Sequence, residues 1–223
     1  MTTHISATEA GEDACKYAWE NVLLTDSGFY YDNDPEKPLT ALINRFAAML
    51  KKPFDEAKVL LIPTAAMANR AKAEEITERL RAELLHMGVL NENIKVHNVD
   101  GSMSEKKAMM YDVVYFTGGS APYLAKRLRK TGFDNVVKKM VYSNKALVGV
   151  SGGSMVAMAD FNVKGLTEKY PMQFKGLALI NAYFTVHCNP GTPNRTDLPL
   201  PHISLMRNQA IAVRWDGYEV IDG

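Results

Sequence analysis

Short apolar runs rich in β-branched residues alternate along the chain with longer stretches whose apolar positions recur every three or four residues. That order predicts an α/β fold with a mostly parallel sheet. Residues 21–25 (NVLLT) are a short apolar run stopped by Asp26-Ser27-Gly28, a turn signal. Leu39, Leu42, Ile43, Phe46 and Leu50 then place a helical stripe over 39–50. Residues 58–63 (KVLLIP) are continuously apolar, as in a strand covered on both faces. The longest helix candidate spans 69–87, with Ile76, Leu80 and Leu84 on one face, Glu75 four residues before Arg79 on the other, and Gly88 as a C-cap.

Strands are expected at 94–99 and at 112–116 (DVVYF), the second stopped by Thr117-Gly118-Gly119-Ser120. Pro122 suits the first turn of a helix running to about Lys130, and a second helix is expected over 134–142. A buried strand at 146–150 (ALVGV) leads directly into a helix at 152–159 (GGSMVAMA), followed by a loop at 162–172. Short strands at 177–180 and 184–186, a Pro-, Gly-, Thr- and Asn-rich loop at 189–201 and a strand at 210–215 follow, with a turn at Asp216-Gly217. The polar residues 1–20 read as a peripheral segment and 21–223 as a single domain.

Composition narrows the function classes. The 223 residues are 47% hydrophobic and 23% charged, ordinary for a globular chain, and 26 Lys+Arg against 25 Asp+Glu give a net charge of +1. Phosphate binding needs a basic surplus or a basic face, so a nucleic-acid partner is not expected. The run Lys126-Arg127-Leu128-Arg129-Lys130 reads as the solvated side of a helix. Cys15 and Cys188 make neither a disulfide framework nor a metal cluster, so no metal and no cofactor are expected. The sequence has neither an apolar run of membrane-spanning length nor an apolar leader at its start, and the expected setting is the cytoplasm, as a monomer or homodimer.

The chemistry concentrates at Gly149-Val150-Ser151-Gly152-Gly153-Ser154. The segment matches G-x-S-x-G between a predicted strand and a predicted helix, the context a nucleophile elbow requires. A sharp strand-to-helix turn demands neighbours without bulk and lifts Ser151 above the C-terminal edge of the sheet, where open α/β sheets bind ligands. Free N–H groups at the start of the helix would face a developing negative charge. With no Lys after the glycines and no G-x-G-x-x-G, a phosphate or dinucleotide loop is disfavoured. Ser154 is the competing hydroxyl.

A nucleophilic serine needs a base, and the base needs a group to hold it. Of five histidines, His4, His86 and His97 read as surface or packing residues. His187, after the strand at 184–186, is the favoured base, and His202 the alternative. Between Ser151 and His187 the carboxylates are Asp160 and Glu168, of which Glu168 in the loop is favoured as the acid. The second glycine turn, Gly118-Gly119-Ser120, follows a neighbouring strand, so its amides are candidates for one arm of an oxyanion hole, with the Gly152 amide as the other.

FTGGSAPYL, ALVGVSGGSMVA and GLALINAYFTVH, in this order, resemble the peptidase E family of serine peptidases, which includes aspartyl dipeptidases and cyanophycinases. The resemblance covers roughly residues 55 to 190. It implies a three-layer α/β/α sandwich, like class I glutamine amidotransferase domains and flavodoxin-like in its mostly parallel sheet. It further implies Ser151 as nucleophile, His187 as base, Gly119 and Gly152 as oxyanion amides, and an acid between elbow and histidine, which Glu168 fits. With Ser rather than Cys at the elbow, amidotransferase chemistry is disfavoured. The chain reads Ser-Gly-Gly where the family has Ser-Ala-Gly, and Ser120 stands in place of the usual Asn. Arg195 is the candidate cation for an acidic substrate group.

The expected activity is therefore serine exopeptidase cleavage of short peptides, including dipeptides with an N-terminal Asp. The alternatives are an α/β-hydrolase-type esterase and a non-catalytic binding protein of the same fold.

Overall fold

The computed structural model describes residues 20–161, 174–214 and 217–223. The segment expected to be peripheral, apart from Glu20, lies outside these residues, as do Glu168 and the loop expected at 162–172. In chain order the elements are β1 (Val22–Thr25), α1 (Thr40–Leu50), β2 (Val59–Ile62), α2 (Arg70–His86), β3 (Ile94–Val96), α3 (Glu105–Ala108) and β4 (Val113–Phe116). There follow α4 (Ala121–Thr131), α5 (Phe133–Tyr142), β5 (Ala146–Val150), α6 (Gly152–Met155), β6 (Asp160–Phe161) and β7 (Phe174–Lys175). The described chain ends with β8 (Tyr183–Cys188), β9 (His202–Met206), β10 (Gln209–Arg214) and β11 (Gly217–Asp222).

Seven strands form the central sheet in the order β11-β10-β1-β5-β4-β2-β3. The five from β1 to β3 are mutually parallel, whereas β10 runs antiparallel to β1 and β11 antiparallel to β10. Successive residues of a strand point to opposite faces, and here both faces are buried. Val22, Leu24, Val114, Phe116 and Leu147 enter one core, with Leu124 and Leu128 of α4 and Val137 and Met140 of α5. Leu23, Val113, Tyr115 and Val148 enter the other, with Leu42 and Phe46 of α1 and Leu80 and Leu84 of α2. The result is the expected three-layer sandwich, and the continuous apolar runs are its doubly covered strands. Among the described residues no helix is long and apolar enough to cross a membrane.

The sheet register assembles the site. Thr25 lies opposite Val150 across β1 and β5, and Phe116 opposite Gly149 across β4 and β5. Because the strands are parallel, the turns that leave β1, β4 and β5 sit side by side at one edge. Ser120 caps α4, its hydroxyl accepting the Tyr123 amide, with Pro122 in the first turn and Gly132 at the C-cap.

Several expected boundaries move. The helix after Ser151 is four residues long rather than eight, and 177–180 forms no strand beyond a bridge between Ile180 and Met158. The strand expected at 184–186 extends over Tyr183–Cys188 and pairs in parallel with β9, a strand not expected from its sequence, as a separate two-stranded sheet. Gly217 opens a further strand, β11, at the sheet edge, and Asp216 of the expected turn lies outside the described residues.

Candidate active site

Ser151 joins β5 to α6 with φ 51° and ψ −117°, a backbone conformation that non-glycine residues rarely adopt. Its amide donates to the Thr25 carbonyl at 3.0 Å. Thr25 also ties this turn to its own strand: its hydroxyl donates to the Gly149 carbonyl at 3.2 Å, and its carbonyl accepts the Ser154 hydroxyl at 2.7 Å. Ser154 is thereby fully buried and engaged. Of the two hydroxyls, Ser151 is the one that reaches outward.

The Ser151 Oγ lies 2.8 Å from His187 Nε2. His187 sits inside β8, at an irregularity where the register with β9 shifts between Thr185 and Cys188, and it has φ 60°. A bulge of this kind re-aims a side chain out of the alternation of its strand. Here it turns the imidazole, whose side chain is 56% exposed, across to the edge of the large sheet.

The other ring nitrogen, Nδ1, is 3.0 Å from Asp26 Oδ2, and the His187 amide donates to Asp26 Oδ1. Asp26 follows β1 directly and is completely buried. Burial alone pushes its carboxyl pKa up, but the hydrogen bonds from the His187 ring, the Ser27 hydroxyl (2.5 Å) and the His187 amide outweigh it and hold the carboxyl below the usual Asp range. The carboxylate on the imidazole therefore comes from before the serine, not from the interval between Ser151 and His187. Of the acids expected there, Glu168 lies outside the described residues, and Asp160 opens β6. The signal that could have found Asp26 is its position: a carboxylate directly after a buried strand that ends at the same edge.

The turn after β4 presses against the Ser151 turn. A Cβ built on Gly118 would lie 3.6 Å from the Ser151 Cβ, one on Gly152 would lie 1.9 Å from the Gly119 carbonyl oxygen, and one on Gly119 (φ +134°) would lie 2.3 Å from the Ala65 carbonyl oxygen. Glycine at 119 and 152 is what lets the two turns meet. Neither the Gly119 nor the Gly152 amide donates a hydrogen bond among the described residues. Ser120 differs from its expected place in the site: its amide donates to the Ala65 carbonyl at 2.9 Å and its hydroxyl caps α4, so both groups are spent on structure.

His202, the alternative base, lies on β9 with Nε2 3.4 Å from the Thr185 hydroxyl and Nδ1 accepting the Arg195 amide at 3.2 Å. Burial, reinforced by the charge of Arg195, lowers its pKa. It buttresses β8 rather than facing Ser151. Arg195 is paired bidentately with Asp197 at 2.9 and 2.6 Å. Among the described residues no group of three or more His, Cys, Asp or Glu side chains is placed to hold a metal ion.

The profile of peptidase family S51 matches residues 22–213. The chain belongs to peptidase family S51. This is the peptidase E family of serine peptidases that its three segments resemble, and the match extends beyond them at both ends, to β1 and β10. An uncharacterized peptidase of Listeria monocytogenes, Lmo0363, is 28% identical over 101 residues, covering 44% of this chain and 47% of its own. A second, PM1590 of Pasteurella multocida, is 23% identical over 137 residues, 58% of this chain and 64% of its own. Both matches thus span less than two thirds of those relatives. In structure, the S51 chain is similar to a protein named as a peptidase E from Listeria monocytogenes EGD-e, with TM-score 0.67, 18% identity and coverage of 92% and 100%. It is also similar to a peptidase from an acI-B1 Actinobacterium, with TM-score 0.65, 21% identity and coverage of 93% and 89%. These structural likenesses carry the fold.

Proposed function

We propose that this S51 chain is a serine exopeptidase of short peptides, in which Ser151 is the nucleophile, His187 the base and Asp26 the group that holds the imidazole. The observation that carries the reading is the continuous relay from the Ser151 hydroxyl through both ring nitrogens of His187 to a buried carboxylate. With Nδ1–H donated to Asp26, the Nε2 lone pair is left to accept the Ser151 proton. Ser151 Oγ attacks the peptide carbonyl carbon as its proton passes to Nε2, and the adjacent Asp26 stabilises the resulting imidazolium. The Gly119 and Gly152 amides, which have no partner among the described residues, are the donors for the tetrahedral oxyanion. Collapse breaks the C–N bond, and the leaving amine takes the proton from Nε2. Water then attacks the acyl-enzyme by the reverse path, releasing the acid and restoring Ser151.

Dipeptides with an N-terminal Asp are the first substrates to try, on the family resemblance. The bidentate pairing of Arg195 with Asp197 weakens the case for that arginine as the cation that selects them. A dipeptide-library hydrolysis assay with Ser151→Ala as control tests the reading. Loss of about 10³-fold or more in kcat is expected for the variant. Hydrolysis unchanged in Ser151→Ala would sink the assignment. A far higher rate on p-nitrophenyl acetate than on any dipeptide would move it to the esterase class.

A further inference from the structure

Helix α2 carries Glu74, Glu75 and Glu78 on its exposed side, but Glu83 is turned inward and is only 4% exposed. Around it lies the apolar core of Leu23, Phe29, Leu80, Leu84 and Tyr115. Burial pushes its carboxyl up to about 7, against the opposing pull of the Phe29 amide and the Arg79 charge. The charges and titratable groups facing it are Arg79 on its own helix and, from the elements packed against it, Tyr30 and Tyr115. An apolar side chain of this size would fit such a core at lower cost. What a carboxylate adds is an acceptor.

That acceptor is used at one point. Glu83 Oε2 receives the Phe29 amide at 3.0 Å, a buried donor that would otherwise be left unpaired. Gly28 closes over the same oxygens, since a Cβ built there would lie 2.6 and 2.9 Å from them. The tethered segment is the turn that begins with Asp26. Its other ties include the Gly28 amide on the Thr25 hydroxyl, at 3.1 Å, the Asp26 amide on the Gln209 carbonyl, at 3.0 Å, and the Leu39 amide on the Phe29 carbonyl, at 2.9 Å. Glu83 is thus the side-chain contact, beside the main-chain bond from Leu39, that anchors the far end of a turn whose near end carries the carboxylate facing His187.

We propose that Glu83 is a positioning residue of the reaction centre, anchoring the 26–29 turn so that Asp26 meets His187 Nδ1. The inference rests on the serine-peptidase reading above, and the same experiment separates the two. The readout is the rate of Ser151 modification by a fluorophosphonate probe, resolved into the inactivation rate and the probe affinity.

Glu83→Met, which removes the acceptor and keeps the volume, is expected to slow inactivation about 10- to 100-fold with probe affinity unchanged, the cost of a misplaced catalytic group. Glu83→Gln keeps an acceptor for Phe29 and restores most of that rate. In an Asp26→Asn background, Glu83→Met adds no further loss, because the residue acts through Asp26. A wild-type inactivation rate in Glu83→Met, a loss seen only in affinity, or a full additional loss on top of Asp26→Asn would each overturn the proposal. If Glu83→Met does not fold cooperatively, Glu83→Asp withdraws the carboxylate by one methylene and carries the same expectation. An unchanged rate there overturns the proposal as well. Labelling that survives Ser151→Ala instead overturns the reaction-centre reading itself.

Discussion

Asp26 holds His187 at two points, one oxygen on the ring Nδ1 and the other on the backbone amide of the same residue. A carboxylate that grips both ring and main chain fixes the position of the imidazole as well as its tautomer. It also stabilises a residue whose φ of 60° costs energy for any side chain.

Asp26→Asn is expected to lower kcat by about 10³- to 10⁴-fold with little change in KM, because the side-chain oxygen stays on the His187 main-chain amide and the NH2 group then faces Nδ1 as a donor, which favours the wrong tautomer. Steady-state kinetics on the best dipeptide from the library checks this. A variant within tenfold of wild type would remove Asp26 from the mechanism.

Gly152→Ala restores the residue usual in the family at this place, yet a Cβ there meets the Gly119 carbonyl at 1.9 Å. The two turns must separate to admit it. A loss of about 1–3 kcal/mol in stability is expected, together with a fall in kcat as the amide donors move apart. Denaturant unfolding and kinetics on the same sample measure both.

Ser154→Ala removes the hydroxyl that donates to the Thr25 carbonyl, which keeps the Ser151 amide as a second donor. The expected cost is about 1 kcal/mol in stability, with hydrolysis retained. Abolished hydrolysis in a stable Ser154→Ala protein would return this hydroxyl to candidacy as nucleophile.

Two buried carboxyls give stability opposite dependences on pH. Asp26, held below its unfolded value, contributes stability that is complete above that value and is lost as pH falls through the folded one. Glu83, raised from 4.5 to about 7, contributes stability that is complete below 4.5 and is lost as pH rises through about 7. The Glu83 effect amounts to roughly 3 kcal/mol. Urea unfolding across pH 4.5 to 8 should show Glu83→Gln flattening the decline on the neutral side. An identical slope in wild type and variant would show that Glu83 ionises as freely folded as unfolded.

The strands and helices that build the site were legible because each is locally written: VLLT, VLLI, VVYF and ALVGV are buried runs, and the stripes of α1, α2, α4 and α5 repeat at helical spacing. The elements missed are those whose stability is not local. HISLM becomes β9 only by pairing with β8, and GYEVID becomes β11 only as an edge strand on β10. Asp26 was legible only as a turn signal for the same reason. Sheet order places β1 beside β5, bringing Asp26 to His187 across 161 positions of chain. No pattern within the interval from Ser151 to His187 encodes that neighbour.

The proposed base stands on a different sheet from the proposed nucleophile and acid. Asp26 and Ser151 leave adjacent strands of the seven-stranded sheet, whereas His187 belongs to the two-stranded β8–β9 unit. The large sheet can keep every one of its ladders while the hydroxyl loses its imidazole. In the proposed mechanism turnover is thus a gauge of how the small sheet is seated, and what seats it is Phe184, Ile203 and Leu205, buried in the same core as α4 and α5.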